Sequence, residues 1–343
     1  MRGTSLAVVD RAAIPSYHPL VSLDESVARV AQYLGTKTAL MFPGQGSQQV
    51  GMGAELARAF PVARRTFEEA NDVVGYDLAT LCFEGPHEKL QETNFCQPAV
   101  LTTSVAAWRV AREIGLRGDL VMGHSLGEYS ALVASGTLDF DDALRLVVER
   151  GAATTAVVAE SPGSMAALLG ATDEEAEQMC REVGDVWPAN YNCPGQIVAS
   201  GLHRGVDRLL DLAKSRGFKV RLLDIDGAFH STLMAPAAER LRIALSSAKV
   251  HAPSLPFLSA TTSALETGTE RVRQLLAQQL TAPVRFTQTV RTALEMGADS
   301  FVEFGPRRVL VGLVRRIRSD VETVHVGAPS DLASLASLVA AGR

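Results

Sequence analysis

Apolar residues along this chain recur in two rhythms. Short runs, Thr38-Ala39-Leu40-Met41-Phe42, Leu120-Val121-Met122 and Ser300-Phe301-Val302-Glu303-Phe304, end at Pro43-Gly44, Gly123 and Gly305. Runs of that length closed by turn residues predict buried strands. Between them, Ala99 to Glu113 and Ala143 to Val158 carry apolar residues at helical spacing. Strands separated by helices predict a parallel sheet covered on both faces.

One stretch breaks that rhythm. After Pro162-Gly163, Ser164 to Leu169 reads as a strand, and Thr172-Asp173-Glu174-Glu175 has the capping-box spacing that opens a helix to about Val183. Two strands follow, Val186 to Tyr191 and Gln196 to Ser200, split by a turn at Cys193-Pro194-Gly195; then a helix from about Gly205 to Arg216 and a strand from Lys219 to Ile225. The order β-α-β-β-α-β is that of a ferredoxin-like module. At the start of the chain only Leu23 to Leu34 has helical periodicity, among breakers such as Gly3, Pro15 and Pro19. The Ala/Ser/Leu-rich C-terminus predicts a short terminal helix.

Composition narrows the function classes. With 343 residues, 47% apolar and 21% charged, the chain can bury a large core, and Lys plus Arg total 33 against 38 Asp plus Glu, a net charge of -5. That balance argues against a whole-protein grip on nucleic acid. No apolar run approaches the roughly 18 residues of a membrane span, and the N-terminus lacks a signal-peptide core, so a cytoplasmic protein is expected. Cys82, Cys96, Cys180 and Cys193 form no CxxC pair, which predicts buried free thiols rather than a zinc or redox site.

Candidate chemistry concentrates at Gly123-His124-Ser125-Leu126-Gly127, which follows a predicted strand and precedes a predicted helix at Glu128-Tyr129-Ser130-Ala131-Leu132-Val133. A nucleophile elbow needs that setting: the glycines permit a sharp turn that exposes the serine, and the helix N-terminus offers amides to an oxyanion. An ordinary glycine turn is the alternative reading of the same residues. A serine nucleophile needs a base. Of seven histidines, His230 in Gly227-Ala228-Phe229-His230-Ser231 lies where a strand gives way to a loop; His124 adjoins the serine, but on a sharp elbow its side chain points away. His18, His87, His203, His251 and His325 have no evident partner in sequence.

Four motifs in order, Phe42-Pro43-Gly44-Gln45-Gly46-Ser47-Gln48, Gly123-His124-Ser125-Leu126-Gly127-Glu128, Gly227-Ala228-Phe229-His230-Ser231 and Glu303-Phe304-Gly305-Pro306, closely resemble those of the malonyl-CoA:acyl carrier protein transacylases and the related acyltransferases of polyketide synthases. The resemblance covers about residues 38 to 318. The fold class is then a large α/β-hydrolase-like domain with a parallel sheet, over 38–159 and 226–330, carrying an inserted ferredoxin-like small subdomain at 160–225. Residues 1–37 read as an N-terminal extension or linker and 331–343 as a C-terminal tail.

The resemblance implies Ser125 as nucleophile and His230 as its base, with the imidazole oriented by the main-chain carbonyl of Gln279 in Gln279-Leu280-Thr281-Ala282-Pro283-Val284. It places the oxyanion hole at the amides of Gln45 and Leu126. Arg150 matches the arginine that holds the free carboxylate of dicarboxylic acyl groups, a role suited to a guanidinium fork. Phe229 matches the malonyl-type form of the histidine motif, in which a large ring crowds the acyl α-carbon. Gln97, Asn190 and Asn192 match softer positions along the acyl cleft. The implied activity is malonyl transfer from malonyl-CoA, through an acyl-serine, to the phosphopantetheine thiol of a holo acyl carrier protein, in fatty-acid or polyketide synthesis. Neither metal nor organic cofactor is called for, and the chain acts as a monomer or as part of a synthase. Rival readings are an editing acyl-thioester hydrolase and a non-catalytic carrier-protein docking module. Arg307, Arg308, Arg315, Arg316 and Arg318 form a basic run, read as a solvated helix face before a phosphate or carrier-protein contact.

Overall fold

Strand β1 (Lys37–Phe42) is buried at every residue after Lys37, and its alternation divides those residues between two cores. Leu40 and Phe42 join one apolar cluster with Val121, Val302 and Phe304; Ala39 and Met41 join a second with Met122, Leu258 and Phe301. A strand with apolar contacts on both sides belongs inside a sheet, which explains why it reads as a continuous apolar run. The computed structural model describes residues 37–340; the helix expected at Leu23 to Leu34, and His18, lie outside the described residues.

From β1 the chain makes α1 (Ala54–Ala59), α2 (Pro61–Val74), α3 (Leu78–Glu84), α4 (His87–Gln91) and the long α5 (Thr93–Glu113) before β2 (Leu120–Gly123), α6 (Gly127–Ala134) and α7 (Phe140–Glu160). Helix α5 starts at Thr93 rather than Ala99 and carries Pro98 inside it; the added turn holds Gln97, fully buried. Then follow β3 (Gly163–Leu169), α8 (Asp173–Val183), β4 (Val186–Cys193), β5 (Gln196–Leu202), α9 (His203–Ser215) and β6 (Lys219–Leu222). The capping box at Thr172 and Glu175 forms in both directions. The remaining elements are α10 (Ala235–Ser247), β7 (Phe257–Leu258), β8 (Leu265–Glu266), α11 (Thr269–Gln278), α12 (Phe286–Glu295), β9 (Ala298–Phe304), α13 (Leu310–Ile317), β10 (Glu322–Val326) and α14 (Asp331–Ala340). The short terminal helix expected at the C-terminus is α14, which occupies most of the stretch read as a tail, and Asp331 at its start accepts the amides of Gly327 and Ala328.

The large sheet has the order β10-β9-β1-β2-β7-β8 and is parallel from β10 to β7. It is not wholly parallel as expected: β8 runs antiparallel to β7 as a short edge hairpin, Phe257 facing Glu266. Because β1, β2 and β9 run the same way, the loops after them gather at one edge. Open α/β sheets place ligands at that edge.

Strands β3 to β6 form a separate antiparallel sheet in the order β4-β5-β3-β6, the ferredoxin-like arrangement. One face, with Ala166, Leu168, Ile197 and Ala199, packs on α8 and α9 through Met179, Val206 and Leu209. The other, with Met165, Ala167 and Val198, belongs to the same apolar cluster as the large sheet. Residues after α11 tie the sheets together: the Tyr191 amide donates to the Val284 carbonyl and the Val284 amide to Ala189, each at 2.8 Å. Among the described residues no helix is long and apolar enough to cross a membrane.

The junction of β1 with α6 leaves no room for a side chain. A Cβ on Gly127 would lie 1.9 Å from the Phe42 carbonyl oxygen, a backbone atom that cannot swing aside. Gly127→Ala is therefore expected to destabilise the protein by about 3 kcal/mol or more, through backbone displacement and not lost burial. Chemical denaturation measures it, and a loss below about 1 kcal/mol would show that the junction relaxes freely.

Candidate active site

Ser125 stands between the last residue of β2 and the first turn of α6 with φ 53°, in the left-handed region that non-glycine residues seldom occupy. Two donors on its carbonyl hold it there: the Glu128 amide at 3.0 Å and the Gln279 side-chain amide at 3.0 Å. The turn sets the hydroxyl against His230 and Arg150. His124 does point elsewhere, its Nε2 meeting Asn192 Oδ1 at 2.8 Å.

His230, also at positive φ (60°), comes from the loop after β6. Its Nε2 lies 2.8 Å from Ser125 Oγ, and its Nδ1 faces the carbonyls of Gln279 at 2.9 Å and Ala282 at 3.2 Å. Carbonyls only accept, so Nδ1 carries the proton and Nε2 is left as acceptor for the serine O–H. Burial, then the nearby Arg150 charge, hold the imidazole pKa down to about 3, so the ring is neutral. Phe229 just before it is buried, its carbonyl fixed by the Ser200 hydroxyl at 2.5 Å.

Arg150 lies in α7 and is only 1% exposed. Nη1 donates to Gln97 Oε1 at 2.8 Å; Nη2 donates to Ser125 Oγ at 3.2 Å and to Gln279 Oε1 at 3.3 Å. Nε has no partner among the described residues. Burial lowers its pKa from the ordinary 12.5, yet an arginine starts so far above neutrality that it keeps its charge. Gln97 in turn donates to Gln45 Oε1 at 3.4 Å, and Gln45 to Thr93 Oγ1 at 3.3 Å. This chain of amides ties the loop after β1 to the site.

The backbone amides of Gln45 and Leu126 donate to no group among the described residues. Gly44 permits the loop's close approach: a Cβ there would lie 2.5 Å from the His124 carbonyl. Asn190 sits in β4 opposite Val198, and its side chain bonds to none of these groups. A cleft of about 410 Å³ runs from His230 and Ser231 past Thr281 and Pro283 to Trp187 and Tyr191.

Sequence reasoning gave no role to Glu128, which is fully buried in the first turn of α6. Its Oε1 accepts the Ala260 amide at 2.6 Å and its Oε2 accepts from the Gln279 side chain. Burial pushes the carboxyl up to about 7 against the pull of those donors and of Arg150. The available signal was an acid at the head of an otherwise apolar helix. His325 likewise gains partners, with Nε2 on the Gly305 carbonyl at 2.8 Å and Nδ1 3.4 Å from Asp331. The basic run is engaged locally: Arg307 with Gln49, Arg308 with Asp331, Arg315 with Thr323, Arg316 with Gln196 and Arg318 with Asp320. All four cysteines are buried and unpaired.

Residues 40–329 match the model of the acyl transferase domain family. The chain is 41% identical over 302 residues to the malonyl CoA-acyl carrier protein transacylase of Bacillus subtilis strain 168, covering 87% of this chain and 95% of that one. The solved malonyl CoA-acyl carrier protein transacylase of Coxiella burnetii superposes with a TM-score of 0.87 at 35% identity, covering 89% of this chain and 98% of that one. A malonyl-transacylase solved with a type II polyketide-synthase acyl-carrier protein superposes with a TM-score of 0.86 at 41% identity, covering 88% of this chain and all of that one (100%).

A depressed imidazole pKa means that the proton is taken up only at lower pH. Nitrogen-detected NMR of His230 is thus expected to show a neutral ring down to about pH 5, through the range where an ordinary histidine charges. Arg150→Gln removes the second cause of the depression and is expected to move the titration upward. A parent midpoint near the ordinary 6.5 would contradict the site's electrostatics.

Proposed function

This chain belongs to the acyl transferase family, and from that premise and the geometry of the site we propose that it moves a malonyl group from malonyl-CoA to the phosphopantetheine thiol of an acyl carrier protein. The observation that carries the reading is the buried Arg150 guanidinium, 3.2 Å from the hydroxyl of a serine already paired with a neutral histidine. A fixed cation at that distance suits an acyl group that ends in a carboxylate. An editing hydrolase for monocarboxylic chains gains nothing from it, and a docking module has no use for the Ser125–His230 pair.

The reaction runs in two halves. Ser125 Oγ attacks the thioester carbonyl while its proton passes to His230 Nε2, and the Gln279 carbonyl on Nδ1 keeps the ring in register. The amides of Gln45 and Leu126 receive the oxyanion. As the tetrahedral intermediate collapses, the carbon–sulfur bond breaks and the CoA sulfur leaves with the proton from Nε2. In the second half the carrier thiol gives its proton to His230, its sulfur attacks the malonyl-serine ester, and Ser125 Oγ recovers the proton. The covalent intermediate makes the kinetics ping-pong.

Arg150 acts on both substrate and base. With the site empty its charge opposes formation of an imidazolium at His230. A malonyl carboxylate on the guanidinium screens that charge, so the base strengthens when a dicarboxylic acyl group is in place. Phe229 borders the acyl α-carbon and favours malonyl over branched groups. Asn192, through His124, steadies the elbow from the small sheet. A chain that works on CoA thioesters and holo carrier protein operates in the cytoplasm, where both are made.

Three variants test the roles. Ser125→Ala is expected to stay folded and to show no malonyl adduct by intact mass after incubation with malonyl-CoA; an adduct would mean that another residue is the nucleophile. His230→Ala is expected to lose about 10²- to 10⁴-fold in transfer rate, the usual worth of a general base, and near-normal turnover would reassign the base. Arg150→Gln is expected to lower kcat/KM for malonyl-CoA by the equivalent of about 2–5 kcal/mol, the cost of an unpaired desolvated charge, while sparing acetyl-CoA. Equal losses on the two substrates would make Arg150 structural.

A further inference from the structure

We propose that Glu128 is a positioning residue for acyl-group selection: it fixes which way the Gln279 side-chain amide faces and so locks Arg150 in place for the acyl carboxylate. The inference rests on the acyl-transfer reading above and deepens it.

Gln279 meets three groups. Its Nε2 points at the Glu128 carboxylate and, 3.0 Å away, at the Ser125 carbonyl; its Oε1 accepts from Arg150 Nη2 at 3.3 Å. The Ser125 carbonyl accepts and cannot donate, the Arg150 guanidinium donates and cannot accept, and Glu128, whose carboxyl burial pushes up to about 7, adds a second acceptor in its ionised form. The amide therefore has one orientation that satisfies all three neighbours. Turned over, it would set its NH2 against the guanidinium and its oxygen against two acceptors in a site closed to water, where such mismatches are expensive. Glu128 is itself anchored, because its other oxygen accepts the Ala260 amide at 2.6 Å from a different segment.

This arrangement leaves the arginine charge available. Among the described residues no carboxylate forms an ion pair with Arg150, whose fork rests on the neutral oxygens of Gln97, Gln279 and Ser125. A carboxylate in direct contact would occupy the fork and compete with substrate. Held one residue away, Glu128 gives order to the fork without blocking it.

Glu128→Gln tests the proposal, since the new amide keeps size and can still accept from Ala260. Its NH2 then faces Gln279 and turns that amide, presenting a donor to Arg150. In the intact chain kcat/KM for malonyl-CoA is expected to fall about tenfold more than that for acetyl-CoA, as for the loss of one charge-assisted hydrogen bond, while loss of the Gln279 donor on the Ser125 carbonyl lowers both substrates alike. In an Arg150→Gln background the same substitution is expected to leave the malonyl-to-acetyl ratio unaltered, because its effect passes through Arg150. Equal losses on both substrates, or a ratio change that persists without Arg150, would overturn the proposal and make Glu128 part of the scaffold only. Should Glu128→Gln fail to fold, Gln279→Met carries the test: it removes the side-chain amide, keeps the main-chain carbonyl on His230, and is expected to shift the same ratio. A parent chain that takes no malonyl group at all would fell the acyl-transfer reading and this inference with it, an outcome distinct from a selective parent with an unselective or unchanged variant.

Discussion

A guanidinium sealed from water must be surrounded by oxygens, and that requirement organises the centre of this protein. Removing a cation from water costs several kcal/mol unless other groups replace the lost hydration. Arg150 finds its replacements at Gln97 in α5, at Ser125 on the elbow and at Gln279 after α11. Those three segments belong to different elements and meet at one charge. Since the replacements are neutral, the charge is solvated but not cancelled, which is the property the proposed contact with an acyl carboxylate uses.

The Ser125–His230 pair is assembled under similar constraint. Ser125 and His230 are 105 residues apart in sequence, and both adopt the left-handed backbone conformation. Strain of that kind persists only where surrounding contacts fix it. For the serine those contacts are the two donors on its carbonyl; for the histidine they are the carbonyls on Nδ1 and the packing of Phe229. The same Gln279 serves both, through its side chain for the serine and its main chain for the ring.

How much of this was legible in sequence depended on whether a residue's role is local. The strands β1, β2 and β9 could be read because burial on both faces turns them into apolar runs, and the β-α-β-β-α-β order of the small sheet could be read from its turns and capping box. Strands β7 and β8 could not, since two residues carry no periodicity and their pairing is set by the neighbouring edge. The edge hairpin made the sheet mixed for the same reason. Ser125 announces itself by its glycines and His230 by its place where a strand gives way to a loop, but the pairing of the two, and Arg150 and Gln279, were reached through family resemblance, because partners brought together by the fold leave no mark on one another's sequence. Glu128 shows the limit best. An acid on a helix ordinarily marks the solvated side, and only its burial among donors reveals that it faces inward.

The four-stranded sheet turns one of its faces to helices of its own and the other into the apolar cluster that also supports the large sheet. The boundary that looks like an insertion in topology is thus not a boundary in packing. Met165, Ala167 and Val198 are fitted to side chains of the other unit, and the segment ending in Val284 is hydrogen-bonded to β4 while its first residue orients His230. The small sheet is not a cassette. Transplanting it whole from a relative would cut through a close-packed interior and disturb His230 along with the cleft wall, so the proposed acyl preference is more readily altered by single side-chain changes along the cleft than by exchange of the unit.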